Sequence, residues 1–180
     1  MNTMTQSAPG AKKSGKKSTS RIEETQLTAR VAEANANTQA LVKLTEAIGN
    51  ARTAEDAATA ALETIKSSFG WAYGSYWKIG KDAMLHFAAE AGTVNSEFRR
   101  VTTEASFREG EGLSGRAWRQ RDLIFCADLS QMTDCCRAPI AQRAGVKSGV
   151  CFPIIVDGKV VGTMDFFALE TLQPSTERLD

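Results

Sequence analysis

The sequence predicts an α+β domain, an antiparallel sheet with helices packed on one face and loops on the other. Three observations predict it. The first third is helical in period, with neither proline nor glycine between Arg21 and Ile48. The period changes to two at Trp71 and recurs in short apolar segments down the chain. Two glycine-containing turns, Gly80-Lys81-Asp82 and Asp157-Gly158, join neighbouring segments into hairpins.

At 180 residues the chain has room for one well-buried domain and an appendage. Residues 1–20 hold four lysines and no acid, and are expected to form a disordered basic tail. With a net charge of +1 overall, the body is mildly acidic and offers no nucleic-acid face. No apolar run has the length of a leader or a membrane span, so a cytoplasmic location is expected, where thiols stay reduced.

Residues 21–50 read as one helix. Leu27, Val31, Ala34, Thr38, Leu41, Thr45 and Ile48 recur at steps of four and three, a dilute heptad seam. It suits either pairing with a second copy in a homodimer or lying on its own domain. The narrowness of the stripe favours the dimer. Thr53 is the predicted N-cap of a second helix, with Glu55 and Asp56 in its first turn and Gly70 as its stop. Strands follow at 71–79 and 83–91, then a short helix at 96–100. Gly110, Gly112 and Gly115 punctuate a loop that runs into a short helix through Trp118. A strand at 122–129, a loop with a helical turn near 140–143, and a hairpin of 148–156 and 159–169 complete the domain, taken as 51–172. Residues 173–180 read as the start of a linker helix leading to a downstream signalling domain missing from this chain.

GEGLSGRAWRQRDLIF, followed by AGVKSGVCFPIIVDGKVVGTMDFFA, resembles a GAF domain. The marks are Gly110, Gly112, Leu113, Gly115, Ser148, Pro153, Asp157, Gly158 and Gly162, and the resemblance spans roughly residues 40–170. The variant is most similar to GAF domains of soluble methyl-accepting chemotaxis proteins. The resemblance implies a six-stranded sheet with the N-terminal helices on one face. A small-molecule pocket lies on the other, roofed by the loop after the strand at 122–129. It also implies signalling through flanking helices in a parallel dimer. The expectation is therefore a cytoplasmic sensory module, responsive to a small molecule or to redox state and not an enzyme, whose ligand is unknown and which requires no cofactor.

All four cysteines fall between residues 126 and 151, and the resemblance brings Cys126, Cys135, Cys136 and Cys151 near one cavity. Three readings stay open. They are small hydrophobes of the core; or they hold zinc or an iron–sulfur cluster as a redox sensor, although their spacing lacks a C-x2-C pair; or they serve a free methionine-R-sulfoxide reductase-like enzyme. In the last case Ser114 stands where that family's Gly-x-Cys-Gly cysteine belongs, and Cys136 beside Arg137 is the candidate nucleophile. The resemblance to bilin-attaching relatives fails at Cys136-Arg137, which lacks the following histidine. The cyclic-nucleotide pattern is missing too. Asp134 and Arg137 are expected to form a local ion pair or a charged clamp for a polar ligand. Trp77, Met164 and Phe166 are expected to floor the pocket, and Asp165 to face solvent or a partner.

Overall fold

The computed structural model describes residues 14–174, with side chains from residue 24. The chain divides into two compact units at Leu41–Val42. Helix α1 runs over Ser14–Gly49, so it begins inside the segment expected to be a disordered tail. The rest of that tail, and the predicted linker helix beyond Pro174, lie outside the described residues. Along α1, Leu27, Val31, Leu41 and Ile48 of the heptad seam are all exposed.

Helix α2, Ala54–Phe69, starts and stops where its sequence dictates. The Thr53 hydroxyl accepts the Asp56 backbone N–H at 3.0 Å, and Gly70 takes the left-handed conformation that ends the helix. Its apolar face, Ala58, Ala61 and Leu62, is buried.

The sheet has six strands: β1 (Tyr73–Ile79), β2 (Leu85–Gly92), β3 (Ser106–Phe107), β4 (Ile124–Cys126), β5 (Ser148–Val156) and β6 (Lys159–Ala168). Their order is β3-β2-β1-β6-β5-β4, antiparallel throughout. At the β5–β6 turn Asp157 and Gly158 both have positive φ, 48° and 72°, as a type I′ hairpin requires. Strand β3 was not predicted, since two residues carry no readable period. The strand expected at 122–129 closes at Cys126 because Asp128 caps a following turn of 3-10 helix, Leu129–Gln131. Helices α3 (Ser96–Glu104), α4 (Gly112–Gln120) and α5 (Ala138–Arg143) complete the domain.

Both faces of the sheet are covered. Ala58, Leu62, Tyr76, Val150, Met164 and Phe166 form the core under α2. On the opposite face Tyr73, Trp77, Phe107, Leu113, Cys151 and Phe167 pack with Leu129, Met132, Cys135, Ala138 and Ala141 of the segment between β4 and β5. Strands β1 and β6 are thus buried on both sides, at burial worth about 1.5–3 kcal/mol for each large side chain. That double burial sets up the site.

Candidate functional site

On the face away from α2, strand register places Ser75 opposite Asp165 and Asp165 opposite Cys151. Trp77 and Phe167 project from the same face two positions away. Helix α4 brings Ser114 over this row. Its close approach depends on Gly115, where a Cβ would lie 2.1 Å from the Arg108 carbonyl oxygen. The segment after β4 supplies Arg137, at the N-terminus of α5.

These groups form one buried polar centre. Asp165 is fully buried, and Arg137 is 2% exposed. The Arg137 Nη2 donates to Asp165 Oδ2 at 2.5 Å. The same oxygen accepts from Ser114 Oγ at 2.9 Å and from Trp77 Nε1 at 3.1 Å, while the Ser75 hydroxyl donates to Oδ1. Ser75 Oγ in turn accepts from Trp77 Nε1 at 3.1 Å and Arg137 Nη1 at 3.4 Å. The guanidinium carbon sits 4.9, 5.0 and 5.1 Å from the ring centroids of Trp77, Phe107 and Phe167. Three aromatic faces and a carboxylate are what a buried cation needs, since burial alone would drive it to lose its charge. Burial does pull against the Arg137 charge, but Asp165 outweighs it and holds the guanidinium protonated.

The predicted ion pair is corrected. Asp134 is exposed and bonds Arg116 at 2.7 Å, whereas Arg137 turns inward to Asp165. The two residues stand three positions apart and turn opposite ways, so proximity in sequence did not make a pair. The predicted floor is also revised. Trp77 lies on this face, but Met164 and Phe166 point to the α2 face; by strand alternation Asp165 and Phe167 take their place. Asp165, expected at solvent or a partner, is the anchor of the centre.

The cysteines are dispersed. Cys135 and Cys151 are buried, Cys126 is half-buried and Cys136 is exposed. Among the described residues no three His, Cys, Asp or Glu side chains come together as metal ligands, so a four-cysteine centre is not assembled. Burial and the adjacent Cys135 push the Cys136 thiol up, against the pull of Arg137, so Arg137 does not activate the candidate nucleophile. Burial likewise pushes up Cys126 and, further, Cys151. His86 is on the surface, 2.9 Å from Asp82.

Ser75, Phe107 and Phe167 belong to the centre and were not singled out from sequence, while Ser114 was noted only as standing at a cysteine position and Asp165 only as facing solvent or a partner. One signal pointed at it: a lone acid inside the apolar run of β6. A carboxylate in a strand buried on both faces demands a buried partner.

The GAF-domain family model matches residues 51–180, and the chain belongs to the GAF family. Among curated proteins, none matches it in sequence. Solved structures share the fold at low identity. The GAF domain of a phosphoenolpyruvate-protein phosphotransferase from Coxiella burnetii has 20% identity and TM-score 0.64, over 78% of this chain and 82% of that one. Free methionine-R-sulfoxide reductase from Neisseria meningitidis, in complex with its substrate, has 17% identity and TM-score 0.60, over 76% and 75%. The reduced Staphylococcus aureus reductase has 19% identity and TM-score 0.58, over 78% and 83%. The expectation that the chain is not an enzyme is corrected by these last two: the fold that suggested a binding module also carries catalysts. None of these three is a chemoreceptor domain. No helix among the described residues is long and apolar enough to cross a membrane.

Proposed function

We propose that this chain is the sensory part of a cytoplasmic signal-transduction protein, in which the face of the sheet away from α2 binds a small molecule. The observation that carries the reading is the Asp165 centre. A domain spending four donors and three aromatic rings on one buried carboxylate–cation pair has built a recognition site, not a plain apolar core. The segment between β4 and β5 is the roof, and its position reports occupancy. The exposed seam of α1 pairs with a second copy and passes the change to an output domain, such as that of a chemoreceptor. Thermal-shift screening of the full chain against metabolites tests it, with Trp77→Phe as the counter-screen. A stabilising ligand whose effect vanishes in Trp77→Phe is expected; ligands insensitive to Trp77 contradict the assignment of the site. Sedimentation equilibrium of the chain lacking residues 21–50 tests the seam, and a dimer that survives the deletion refutes it.

A second reading, a thiol-dependent free methionine-R-sulfoxide reductase, is favoured by Cys135, which is buried beside Arg137 in the same cavity. It predicts turnover of free methionine-R-sulfoxide with a thiol reductant, lost in Cys135→Ser.

A further inference from the structure

We propose that Arg137 is a tethered ligand. The cage it fills is a binding site for a small organic cation, an alkylguanidinium or alkylammonium, that replaces the Arg137 head when the roof lifts. The inference rests on the reading of this face as the ligand pocket, and it names the ligand class and the device that controls entry.

Four observations lead to it. First, the site is already occupied. The cavity left beside Arg137, walled by Phe98, Leu113, Leu129, Met132, Cys135 and Phe167, is about 10 Å³, room for no more than one water. A ligand therefore enters only by displacing Arg137. Second, the walls and the occupant come from different parts of the molecule. Trp77, Ser75, Asp165 and Phe167 stand on the two central strands, and Ser114 is held by the tight Gly115 approach. Arg137 comes from the roof.

Third, the roof's backbone is hydrogen-bonded within itself. Leu129 N–H bonds the Lys147 carbonyl and Lys147 N–H bonds Ala168, which anchors the two ends. Between them, the backbone N–H groups of Gln131, Met132, Ala138, Ala141, Ala144, Gly145 and Val146 all bond carbonyls within residues 128–142. Between those anchors, side chains hold the roof down: Leu129, Met132, Cys135, Ala138 and Ala141 pack on the sheet face, Arg137 pairs with Asp165, and the exposed pairs Arg116–Asp134 and Arg143–Glu97 lie at its rim. Exposed pairs are worth little, so beside that apolar packing the Arg137–Asp165 pair is the polar latch of the roof.

Fourth, the charge of the incoming ligand is dictated. With Arg137 out, Asp165 is a buried carboxylate ringed by aromatic faces. A neutral ligand leaves that charge unpaired and an anion adds to it, while a cation restores both the ion pair and the ring contacts. The Arg137 Nε has no hydrogen-bond partner among the described residues, so the tethered head uses the site incompletely. A free cation can better it. Because the tether competes, apparent affinity is lowered by the fraction of molecules with the roof open, and removing the tether raises it.

The test uses the full chain with ethylguanidinium as probe and ethylurea as its neutral counterpart, followed by calorimetry and thermal melting. Arg137→Ala is expected to bind ethylguanidinium at least about tenfold more tightly than the unaltered chain, to ignore ethylurea, and to lose the preference when Asp165→Asn is added. If Arg137→Ala does not fold alone, refolding in ethylguanidinium but not in ethylurea supports the proposal equally. It is overturned if folded Arg137→Ala binds neither compound or binds both alike, or if the unfolded variant is not rescued. A neutral or anionic metabolite that binds the unaltered chain and needs Trp77 overturns the cation assignment while leaving the sensory reading intact.

Discussion

Asp165→Asn is predicted to be one of the most damaging single substitutions in the domain, and more damaging than Arg137→Met. The carboxylate receives four donors: the Ser75 and Ser114 hydroxyls, Trp77 Nε1 and Arg137 Nη2. Removing Arg137 leaves three of them, so the loss approximates one charge-assisted hydrogen bond and its Coulomb attraction, about 2–3 kcal/mol. Removing the charge from Asp165 is worse. Among the described residues the guanidinium has no other carboxylate and its Nε has no partner, and the new carboxamide puts an N–H2 among four donors. Breaking a buried pair from this side costs about 3–5 kcal/mol. Replacing both at once, Arg137→Met with Asp165→Leu, removes the desolvation burden and is expected within about 2 kcal/mol of the starting protein. Urea unfolding of the three variants and the parent checks this order. The reasoning is refuted if Asp165→Asn costs under about 1 kcal/mol or less than Arg137→Met.

Other outcomes follow from the same geometry. Burial, then Asp165, pushes the Cys151 thiol far above its ordinary 9.0, and burial, then the bond to Glu90, does the same to Tyr73 above its ordinary 10.0. Both groups ionise more readily when unfolded, so stability is full below pH 9.0 and falls by about 1.4 kcal/mol per pH unit per group, from pH 9.0 for Cys151 and from 10.0 for Tyr73. Cys151→Ala is expected to flatten the fall seen in urea midpoints between about pH 9 and about pH 11, and an unchanged slope contradicts the attribution. Gly115→Ala drives a methyl into the Arg108 carbonyl and is expected to destabilise by about 1–3 kcal/mol in thermal unfolding, where a neutral result means α4 is not pinned there. Iodoacetamide is expected to label Cys136 first, slowly at neutral pH and faster above its ordinary 9.0, with Cys151 protected until unfolding. Peptide mapping that finds Cys151 modified in folded protein removes its place in the core.

Much of the frame was legible because its signals are local. Thr53 and Gly70 bound α2 through capping chemistry, and Asp157-Gly158 fixes the β5–β6 turn through positive φ. Gly110, Gly112 and Gly115 announced the loop that runs into α4, and Gly115 proves to be the close approach that seats Ser114. The centre itself was not legible, for two physical reasons. Strand β6 is buried on both faces, so alternation of apolar and polar residues gives no parity; Met164 and Phe166 were assigned to the pocket when Asp165 and Phe167 face it. And the partner of Arg137 is set by the closure of a roof over a sheet. Asp134, nearby in sequence, was the visible candidate, but it turns outward to Arg116. The aromatic cage shows the same limit: Trp77, Phe107 and Phe167 come from three strands and meet only in three dimensions.

Hydrogen exchange of the full chain, compared with that of Asp165→Asn at a temperature where both are folded, tests most directly whether the Arg137–Asp165 pair latches a movable roof. The account predicts that protection falls selectively over residues 130–146, while β1, β5 and β6 keep theirs. Protection lost evenly across the sheet, or unchanged in the roof, would contradict it: the pair would then be one more brace of the core and not the latch of a binding site.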